Sequence, residues 1–378
     1  MSVERLRVVS VFGTRPEAVK MAPVVQALAA QAEIDSKVVV TAQHRQMLDQ
    51  VLNLFDIHPD IDLNLMRPDQ NLADLTAAIL THLDPVLKDL KPDWVLVQGD
   101  TTTVMATALL CYYHKIAVGH VEAGLRTGDK WQPFPEEINR KIAGVIADLH
   151  FAPTEMSRQN LLHEGVDDHR IIVTGNPAID ALQQVIQKEE PELVKEIKRK
   201  HNIGVGKKQL ILVTAHRREN FGAPLENICT ALRTIAEKYA DRVHLVYPVH
   251  LNPNVQEPVY RLLGNVENIT LMPPLDYLPM AHLIKSAVLV LTDSGGIQEE
   301  ATGVKVPTLV LRAVTERPEG VAAGVLKLVG TDPQRIVEVT SRLLDHPAEY
   351  QAMEQAPNPF GDGHAAERIV QAILAYKE

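Results

Sequence analysis

The sequence predicts an α/β protein built from two doubly wound lobes. Short apolar runs rich in β-branched residues alternate with longer helical patterns along almost the whole chain, which is typical of parallel sheets covered by helices on both faces. The chain has 378 residues, more than one hydrophobic core usually holds. A highly charged helical segment at 178–201 interrupts the alternation and suits a linker. We therefore expect two lobes with a ligand-binding cleft between them.

The first series of alternating elements is predicted within residues 1–175, which we assign to an N-terminal lobe. Strands are expected where short apolar runs are bounded by turn residues, and helices where apolar residues recur every three or four positions. The predicted strands are 7–11, 37–41, 94–98, 116–121, 150–152 and 171–174, and the predicted helices begin at Pro16 and cover 47–55, 72–90 and 138–147.

The second series is predicted within residues 176–360, which we assign to a C-terminal lobe. Its strands are expected at 210–214, 243–249, 270–272, 288–291 and 308–311, and its helices at 225–239, 255–263, 334–344 and 349–355. A glycine- and proline-containing run at 358–363 breaks the pattern before a final helix at 364–376.

Composition argues against several classes of protein. The formal net charge of −10 disfavours broad nucleic-acid binding, which needs a basic surface. Cys111 and Cys229 are far apart in predicted helices, so a disulfide framework is not expected. No apolar stretch approaches the length needed to cross a membrane, and no signal segment follows Met1. A cytoplasmic protein is therefore expected.

Metal and redox chemistry have no sequence support. The fifteen histidines are scattered, without an HExxH pattern or paired cysteines. The first strand is not followed by GxGxxG, which argues against a nicotinamide cofactor, and no GxSxG elbow indicates a hydrolase. We expect no cofactor.

The most informative segment is Ser294-Gly295-Gly296, which follows the apolar run 288–291 and opens a predicted helix. A strand that ends in a small-residue turn directs backbone N–H groups and the positive end of the helix dipole at one point, which suits a phosphate. Glu299 and Glu300, one turn inside this helix, suit the hydroxyl groups of a ribose. The alternative is a helix capped by Ser294 with solvated glutamates.

Carboxylates follow the central strands of the first lobe. Asp100 comes shortly after the strand 94–98, Glu122 follows the strand 116–121, and Glu136 begins a helix after two prolines. Ligands of open parallel sheets collect at the carboxyl ends of the strands, so these side chains are candidates for acid–base catalysis. Capping of the following helices is an equally good explanation of Asp100, and a favourable helix dipole is the alternative for Glu136.

Cationic and amide side chains follow other strands. Arg15 is placed to reach a phosphate, and His216 lies beside Arg217 and a second arginine, which should keep its imidazole neutral. The second predicted strand leads into a dense set of donors, Gln43, His44 and Gln46, which suits a polar ligand but also an ordinary helix start.

A phosphate site with arginines on one lobe and carboxylates on the other suits a sugar nucleotide. Breaking the bond from the anomeric carbon to phosphate requires donors that stabilise the departing charge. Removing a neighbouring C–H proton and returning it to the other face requires a positioned base and acid.

These segments resemble the bacterial non-hydrolysing UDP-N-acetylglucosamine 2-epimerases. The resemblance runs along nearly the whole chain, and its motifs include GTRPEAVKMAP, TAQHRQMLDQVL, GDTTT, VGHVEAGLRTG, PFPEEINR, AHRREN, LTDSGGIQEEA, TERPE and NPFGDG. It implies a GT-B fold, a homodimer, and a C-terminal helix at 361–378 that returns to the first lobe. It also implies reversible conversion of UDP-GlcNAc to UDP-ManNAc, for cell-surface polysaccharide precursors, through elimination and re-addition of UDP with a 2-acetamidoglucal intermediate.

The resemblance also assigns roles to individual residues. It places the acid–base carboxylates at Asp100, Glu122 and Glu136 and a supporting histidine at His216. It places UDP contacts at Arg15, Arg217, Ser294, Gly295, Gly296 and Glu300, and a second, activating UDP-GlcNAc at Gln43, His44 and Gln46.

The chain departs from the family pattern at three places. Ala215 and Ala313 stand where the family usually has Gly and Asp, and Asn176-Pro177-Ala178 replaces a common Asn-Thr-Val. The first two departures bear on substrate preference or regulation. A hydrolysing epimerase, a glycosyltransferase of the same fold and a non-catalytic sugar-nucleotide sensor remain as alternatives.

Overall fold

The computed structural model describes residues 5–41, 45–65, 67, 70–204 and 206–376, and for Arg45 and Gln46 it describes the backbone alone. The chain divides into two compact units. The first comprises Met1–Ala181 together with Phe360–Glu378, and the second comprises Leu182–Pro359. The sequence placed these divisions at 175/176 and 360/361. Within the described ranges, no helix combines the length and the apolar character that a bilayer-spanning segment needs.

The first unit is a seven-stranded parallel sheet with helices packed against it, in the strand order β3-β2-β1-β4-β5-β6-β7. The strands are β1 Leu6–Phe12, β2 Ile34–Val40, β3 Ile61–Asp62, β4 Trp94–Gln98, β5 Ala117–Val121, β6 Leu149–Ala152 and β7 Ile171–Val173. The helices up to the division are α1 Arg15–Ala29, α2 Arg45–Leu54, α3 Leu72–Leu90, α4 Thr102–His114, α5 Glu136–Ile146, α6 Glu155–His163 and α7 Pro177–Val185, within which the chain passes to the second unit.

The second unit is a six-stranded parallel sheet in the order β10-β9-β8-β11-β12-β13. The strands are β8 Gln209–Thr214, β9 Val243–Pro248, β10 Ile269–Met272, β11 Ala287–Thr292, β12 Thr308–Val310 and β13 Leu326–Leu328. The helices are α8 Glu192–Lys200, α9 Ala223–Lys238, α10 Pro253–Leu263, α11 Tyr277–Ser286, α12 Gly295–Gly303, α13 Pro318–Ala322, α14 Pro333–Asp345 and α15 Pro347–Glu354. The last helix, α16 Ala365–Ala375, packs on α1 in the first unit.

Each sheet has one point where the strand order reverses. In the first unit this switch point lies between β1 and β4, and in the second it lies between β8 and β11. At a switch point the loops that follow the two neighbouring strands run in opposite directions. A crevice therefore forms between them, at the carboxyl ends of the strands. The strands that flank both switch points are almost completely buried, so the loops start from rigid positions.

The charged segment at 178–201 is not a simple linker. It forms two helices, α7 and α8, and Pro191 marks the start of the second. Pro191 cannot donate a backbone hydrogen bond, which favours a helix start there. Val194 and Ile197 of α8 are buried in the core of the second unit. The charges therefore form the exposed face of an amphipathic helix.

Gly124 illustrates how closely a loop of the first unit approaches a helix. Its φ is +88°, and a Cβ built on it would lie 2.2 Å from the backbone oxygen of Ser157 in α6. Gly128, in the same loop, has a similar φ of +82° but has no atom within 4 Å of the corresponding position. A side chain at Gly128 would therefore strain only the left-handed backbone, whereas a side chain at Gly124 would also clash with Ser157.

We expect Gly128→Ala to lower the free energy of unfolding by about 1 kcal/mol, from the left-handed backbone alone. Gly124→Ala should lower it by roughly 3 kcal/mol or more, because a backbone oxygen cannot move away as a flexible side chain can. Urea unfolding followed by tryptophan fluorescence measures both, since Trp94 and Trp131 both lie in the first unit. Equal losses would show that the Ser157 contact does not matter.

Candidate active site

The loop after β1 is tied to the loop after β4 by a buried carboxylate. Glu17 accepts hydrogen bonds from the backbone N–H groups of Gly13 and Thr14, at 3.0 and 2.7 Å, and from the Thr101 hydroxyl at 2.6 Å. Thr14 and Glu17 form a capping box at the start of α1. Burial raises the pKa of Glu17, and these hydrogen bonds act against that rise. Glu17 thus joins the two sides of the switch point.

Glu122 is a buried carboxylate at the end of β5 and is held from three directions. The Lys20 ammonium lies 2.6 and 2.7 Å from its two oxygens. The side-chain amide of Gln98 donates to Oε2, and that of Asn176 donates to Oε1 at 2.8 Å. The backbone of Glu122 has a φ of 62°, which is uncommon for a residue other than glycine. Such conformations are over-represented at functional sites.

Asp100 follows β4 and is paired with a buried arginine. Arg140 of α5 donates to its carboxylate and also lies 3.3 Å from Glu137, the neighbouring acid of the same helix. The backbone oxygen of Asp100 accepts from the amide of Asn139 at 3.0 Å. Asp100 does not act as the helix cap, because the capping side chain of α4 is Thr101. Two residues of α5 therefore hold Asp100, one through its carboxylate and the other through its backbone oxygen.

Glu136 is the first residue of α5 and is partly buried. Its Oε2 is buried and has no hydrogen-bond partner among the described residues. Asp100 and Glu122 therefore follow the neighbouring strands β4 and β5, at the carboxyl ends of the strands, and Glu136 begins the helix that holds Asp100. The three predicted carboxylates belong to one region of the first unit.

The remaining predicted residues of the first unit are Arg15, Gln43, His44 and Gln46. Arg15 is the first residue of α1 and is partly buried. Gln43 and His44 lie outside the described residues, and Gln46 is described only as part of the α2 backbone. A second ligand site at Gln43, His44 and Gln46 stays a prediction.

In the second unit, Asp293 organises the loop after β8. This fully buried carboxylate accepts through Oδ2 from the backbone N–H groups of His216 and Arg217, both at 2.8 Å, and from the amide of Asn220 at 3.0 Å. Asn220 also donates to the backbone oxygen of Leu311 at 3.1 Å. Asp293 therefore sets the positions of His216 and Arg217 from the neighbouring strand.

His216 is partly buried and stacks on His250 with ring centroids 5.3 Å apart. Burial lowers its pKa, and the His250 and Arg217 charges lower it further, while Asp293 acts in the opposite direction. The sequence attributed a neutral imidazole to two arginines, but burial is the larger cause. A neutral imidazole donates one hydrogen bond and accepts another.

The Ser294-Gly295-Gly296 segment begins α12, as the sequence indicated. Ser294 occupies the N-cap position of α12, as the alternative expected, but its side chain makes no capping hydrogen bond. A Cβ built on Gly295 would lie 3.7 Å from a guanidinium nitrogen of Arg217 and 3.8 Å from one of Arg317. Two guanidinium groups thus stand beside a helix N-terminus, which is a favourable place for an anion such as phosphate.

The glutamates of α12 are buried, which excludes the expectation that they are solvated. Glu299 is almost fully buried and accepts a hydrogen bond from Arg317, which holds that guanidinium at the start of the helix. Glu300 is also buried. Glu300 therefore stays a candidate for ligand binding, whereas Glu299 orients an arginine.

Sequence reasoning missed several residues that the structure brings to these sites. They share one property, which is that each hydrogen-bonds to a predicted residue from another part of the chain: Lys20, Gln98, Asn176, Arg140 and Asp293. Asp293 lies inside the LTDSGGIQEEA motif, so its position next to a site was visible. In the parts of the chain that the structure describes, no cluster of three or more His, Cys, Asp or Glu side chains suits a metal ion.

The sequence and the fold of this chain both match known proteins. A family model described as UDP-N-acetylglucosamine 2-epimerase matches residues 26–374. The UDP-N-acetylglucosamine 2-epimerase of Escherichia coli strain K12 is 56% identical over 372 residues, which cover 97% of this chain and 98% of that protein. A putative UDP-N-acetylglucosamine 2-epimerase of Thermotoga maritima is 54% identical over 373 residues, covering 98% of this chain and 96% of that protein.

Solved structures agree with the sequence matches. The crystal structure of UDP-GlcNAc 2-epimerase from Neisseria meningitidis bound to UDP-GlcNAc has a TM-score of 0.89 and 48% identity, covering 98% of this chain and all (100%) of that one. The Methanocaldococcus jannaschii enzyme in complex with UDP-GlcNAc and UDP has a TM-score of 0.80 and 35% identity, with the same coverage of both chains. The predicted fold class, α/β with two doubly wound lobes of the GT-B type, is confirmed.

Two buried histidines beside the carboxylates lead to a pH prediction. His120 and His150 face each other on β5 and β6, and burial lowers their pKa values to about 4 and about 3. The Nε2 of His120 lies 2.7 Å from the Gly99 carbonyl, which can only accept, so Nε2 carries the proton. In the unfolded chain both imidazoles gain a proton as the pH falls through their ordinary value of about 6.5.

We expect the free energy of unfolding of the first unit to fall as the pH decreases from 6.5 towards 4, by about 1.4 kcal/mol per pH unit for each of these histidines. His150→Gln should remove one such contribution from the slope. His163→Gln, at an exposed position of α6, is the control and should leave the slope unchanged. Urea unfolding at several pH values, followed by tryptophan fluorescence, measures the slope, and identical slopes for both variants would contradict the assignment.

Proposed function

Because this chain belongs to the UDP-N-acetylglucosamine 2-epimerase family, we propose that it interconverts UDP-GlcNAc and UDP-ManNAc without hydrolysing them. The proposed reaction eliminates UDP to form a 2-acetamidoglucal and then re-adds it. The observation that carries the proposal is Glu122, a buried carboxylate whose direction is fixed by Lys20, Gln98 and Asn176. An oriented, desolvated carboxylate next to a second one, Asp100, suits proton removal from carbon.

We propose that the second unit binds the nucleotide. The diphosphate would accept hydrogen bonds from the N–H groups of Gly295 and Gly296 and from the hydroxyl of Ser294, whose own N–H donates to Thr292 at 2.9 Å, and would be neutralised by Arg217. Glu300 would accept hydrogen bonds from the ribose, and Arg15 stays a predicted UDP contact. Support comes from the relatives in Neisseria and Methanocaldococcus, whose structures contain UDP-GlcNAc.

The proposed chemistry has two stages. In the first, the bond between the anomeric carbon and the phosphate oxygen breaks, UDP leaves with the bonding electrons, and a carboxylate takes the proton from C2 as the C1–C2 double bond forms. In the second, C2 receives a proton on the opposite face and UDP re-adds at C1. No electron acceptor is required, because the elimination and its reversal leave the oxidation state unchanged.

The proposed roles follow from the environments of the side chains. Asp100, Glu122 and Glu136 divide proton removal and proton return between them, because one group cannot serve both faces of the sugar. His216, whose pKa is lowered by burial, is neutral at pH 7 and donates a hydrogen bond to the departing diphosphate. The arginines stabilise the charge that develops on UDP as the bond breaks.

Incubation of the protein with UDP-GlcNAc in heavy water tests this function. Deuterium should appear at C2 of both UDP-GlcNAc and UDP-ManNAc, and the nucleotide sugars should stay intact at equilibrium. Release of free N-acetylmannosamine with UDP would identify a hydrolysing enzyme instead. Prolonged incubation without isotope exchange would reject the epimerase mechanism.

The same assay separates the roles of the residues. Glu122→Gln and Asp100→Asn should lower kcat by about 100-fold or more while the affinity for UDP changes little, because their work lies in the transition state. Arg217→Ala should weaken UDP binding. Arg218→Ala, an exposed arginine in the same loop, is the matched control. Calorimetry measures UDP affinity, and equal loss of binding in all the variants would contradict these roles.

We also propose that the protein is a homodimer. Ile138, Ile142 and Val145 form an exposed apolar stripe on α5, and the neighbouring α4 exposes Tyr112 and Tyr113. Val145 is 88% exposed. A stripe with this helical spacing is suited to a two-fold contact with a second copy, in which the same surface serves both partners.

Val145→Glu should convert the dimer to a monomer, because a charge would be buried on both sides of the two-fold axis. Leu251→Glu, at another exposed apolar position in the second unit, is the control and should leave the mass unchanged. Light scattering after size exclusion gives the mass directly. A wild-type monomer at micromolar concentration would refute the dimer.

A further inference from the structure

Asn176 occupies an unusual position between the candidate site and the chain connections. It follows β7 and immediately precedes α7, in which the chain leaves the first unit. Both polar atoms of its side chain are hydrogen-bonded. Oδ1 accepts from the N–H of Ala178 at 3.0 Å, and Nδ2 donates to Oε1 of Glu122 at 2.8 Å. One carboxamide thus caps a helix and holds the buried carboxylate.

The orientation of this carboxamide is determined by the backbone. The Ala178 N–H can only donate, so the amide oxygen must face it and the NH₂ group must face Glu122. Pro177 at the first helical position is typical of a helix that begins with such a cap. The Asn176 carboxamide therefore has one orientation, in which its NH₂ group donates to Glu122.

The two connections of the chain meet at Asn176. Its backbone N–H donates to the carbonyl of Phe360, at 2.7 Å, where the chain returns to the first unit. Gly175 and Gly361 pack with their backbones in contact, since a Cβ on Gly175 would lie 3.0 Å from the Cα of Gly361. Both have positive φ values, +86° and +130°. A side chain at either position would force the connections apart.

We propose that Asn176 is a positioning residue that couples the connection between the units to the acid–base carboxylate Glu122. It holds Glu122 as an oriented anion through a hydrogen bond from the neutral amide, and any displacement of the connection changes that hydrogen bond. The proposal deepens the proposed function, because it assumes that Glu122 exchanges the C2 proton. According to the proposal, Asn176 changes the proton affinity of Glu122, and this effect can be measured separately from the contribution of Asn176 to folding.

Other charged or titratable groups also act on Glu122 and remain in every variant. Lys20 from α1 pairs with it directly, Asp100 follows the neighbouring strand β4, and His120 precedes it on β5. A change in the pH profile of an Asn176 variant therefore reports the amide, provided that the fold is intact. A serine at this position retains a capping oxygen but is too short to reach Glu122 as well.

The experiment compares Asn176→Ser, Asn176→Asp and Asp180→Asn in the wild-type background. Losing one hydrogen bond to the carboxylate should move the acidic limb of the kcat profile upward by about one pH unit in Asn176→Ser, with KM changed by less than about twofold. Asn176→Asp should move it further, since two carboxylates would then face each other. Calorimetric unfolding checks the fold of each variant.

Asp180→Asn is the matched control on the same helix. Asp180 is buried, and its carboxylate accepts from the N–H of Ala366 at 2.9 Å, so it ties α7 to the returning chain rather than to Glu122. It should lower the unfolding temperature and leave the pH profile in place. An Asn176→Ser profile identical to the wild type, or an equal shift in Asp180→Asn, would reduce Asn176 to a structural residue. A wild-type protein without C2 exchange would instead overturn the proposed function, and the inference with it.

Discussion

The burial of carboxylates at the carboxyl ends of parallel strands is the constraint on which both units depend. Removing a carboxylate from water costs several kcal/mol unless donors replace the lost hydration. Glu122 meets this requirement with Lys20, Gln98 and Asn176, and Asp293 meets it with backbone N–H groups of the next loop. Each buried acid thereby fixes the loops that surround it, and the candidate site residues lie on those loops.

The acids nearest the candidate site residues satisfy the constraint with different donors. Around Glu122 and Asp100 the compensating groups are side chains, such as Lys20 and Arg140, which orient the two carboxylates. In the second unit Asp293 uses backbone donors, which leaves Arg217 beside the start of α12. The first arrangement suits proton transfer, and the second suits the binding of an anion.

The connection between the units is part of this electrostatic arrangement. The Asn176 side chain accepts a hydrogen bond from the first turn of α7 and donates one to Glu122. The backbones of Gly175 and Gly361 are in contact, which restricts the movement of the chain at that point. Under our proposal, the hydrogen bond from Asn176 ties Glu122 to the chain connection. A local hydrogen bond is sufficient for this, because a pKa depends on the number and charge of the donors.

The sequence by itself determined the fold class, the alternation of strands and helices, and the strand ends at which Asp100, Glu122, His216 and Ser294 lie, because periodicity and turn residues are local properties. It did not reveal that Val194 and Ile197 are buried in a segment that looked like a linker. Nor did it indicate that Lys20 pairs with Glu122, 102 positions away, or that Arg317 stands beside Gly295. Only the tertiary structure decided those contacts, because the partner of a buried charge is selected by the packing of distant elements, and the local sequence carries no record of that choice.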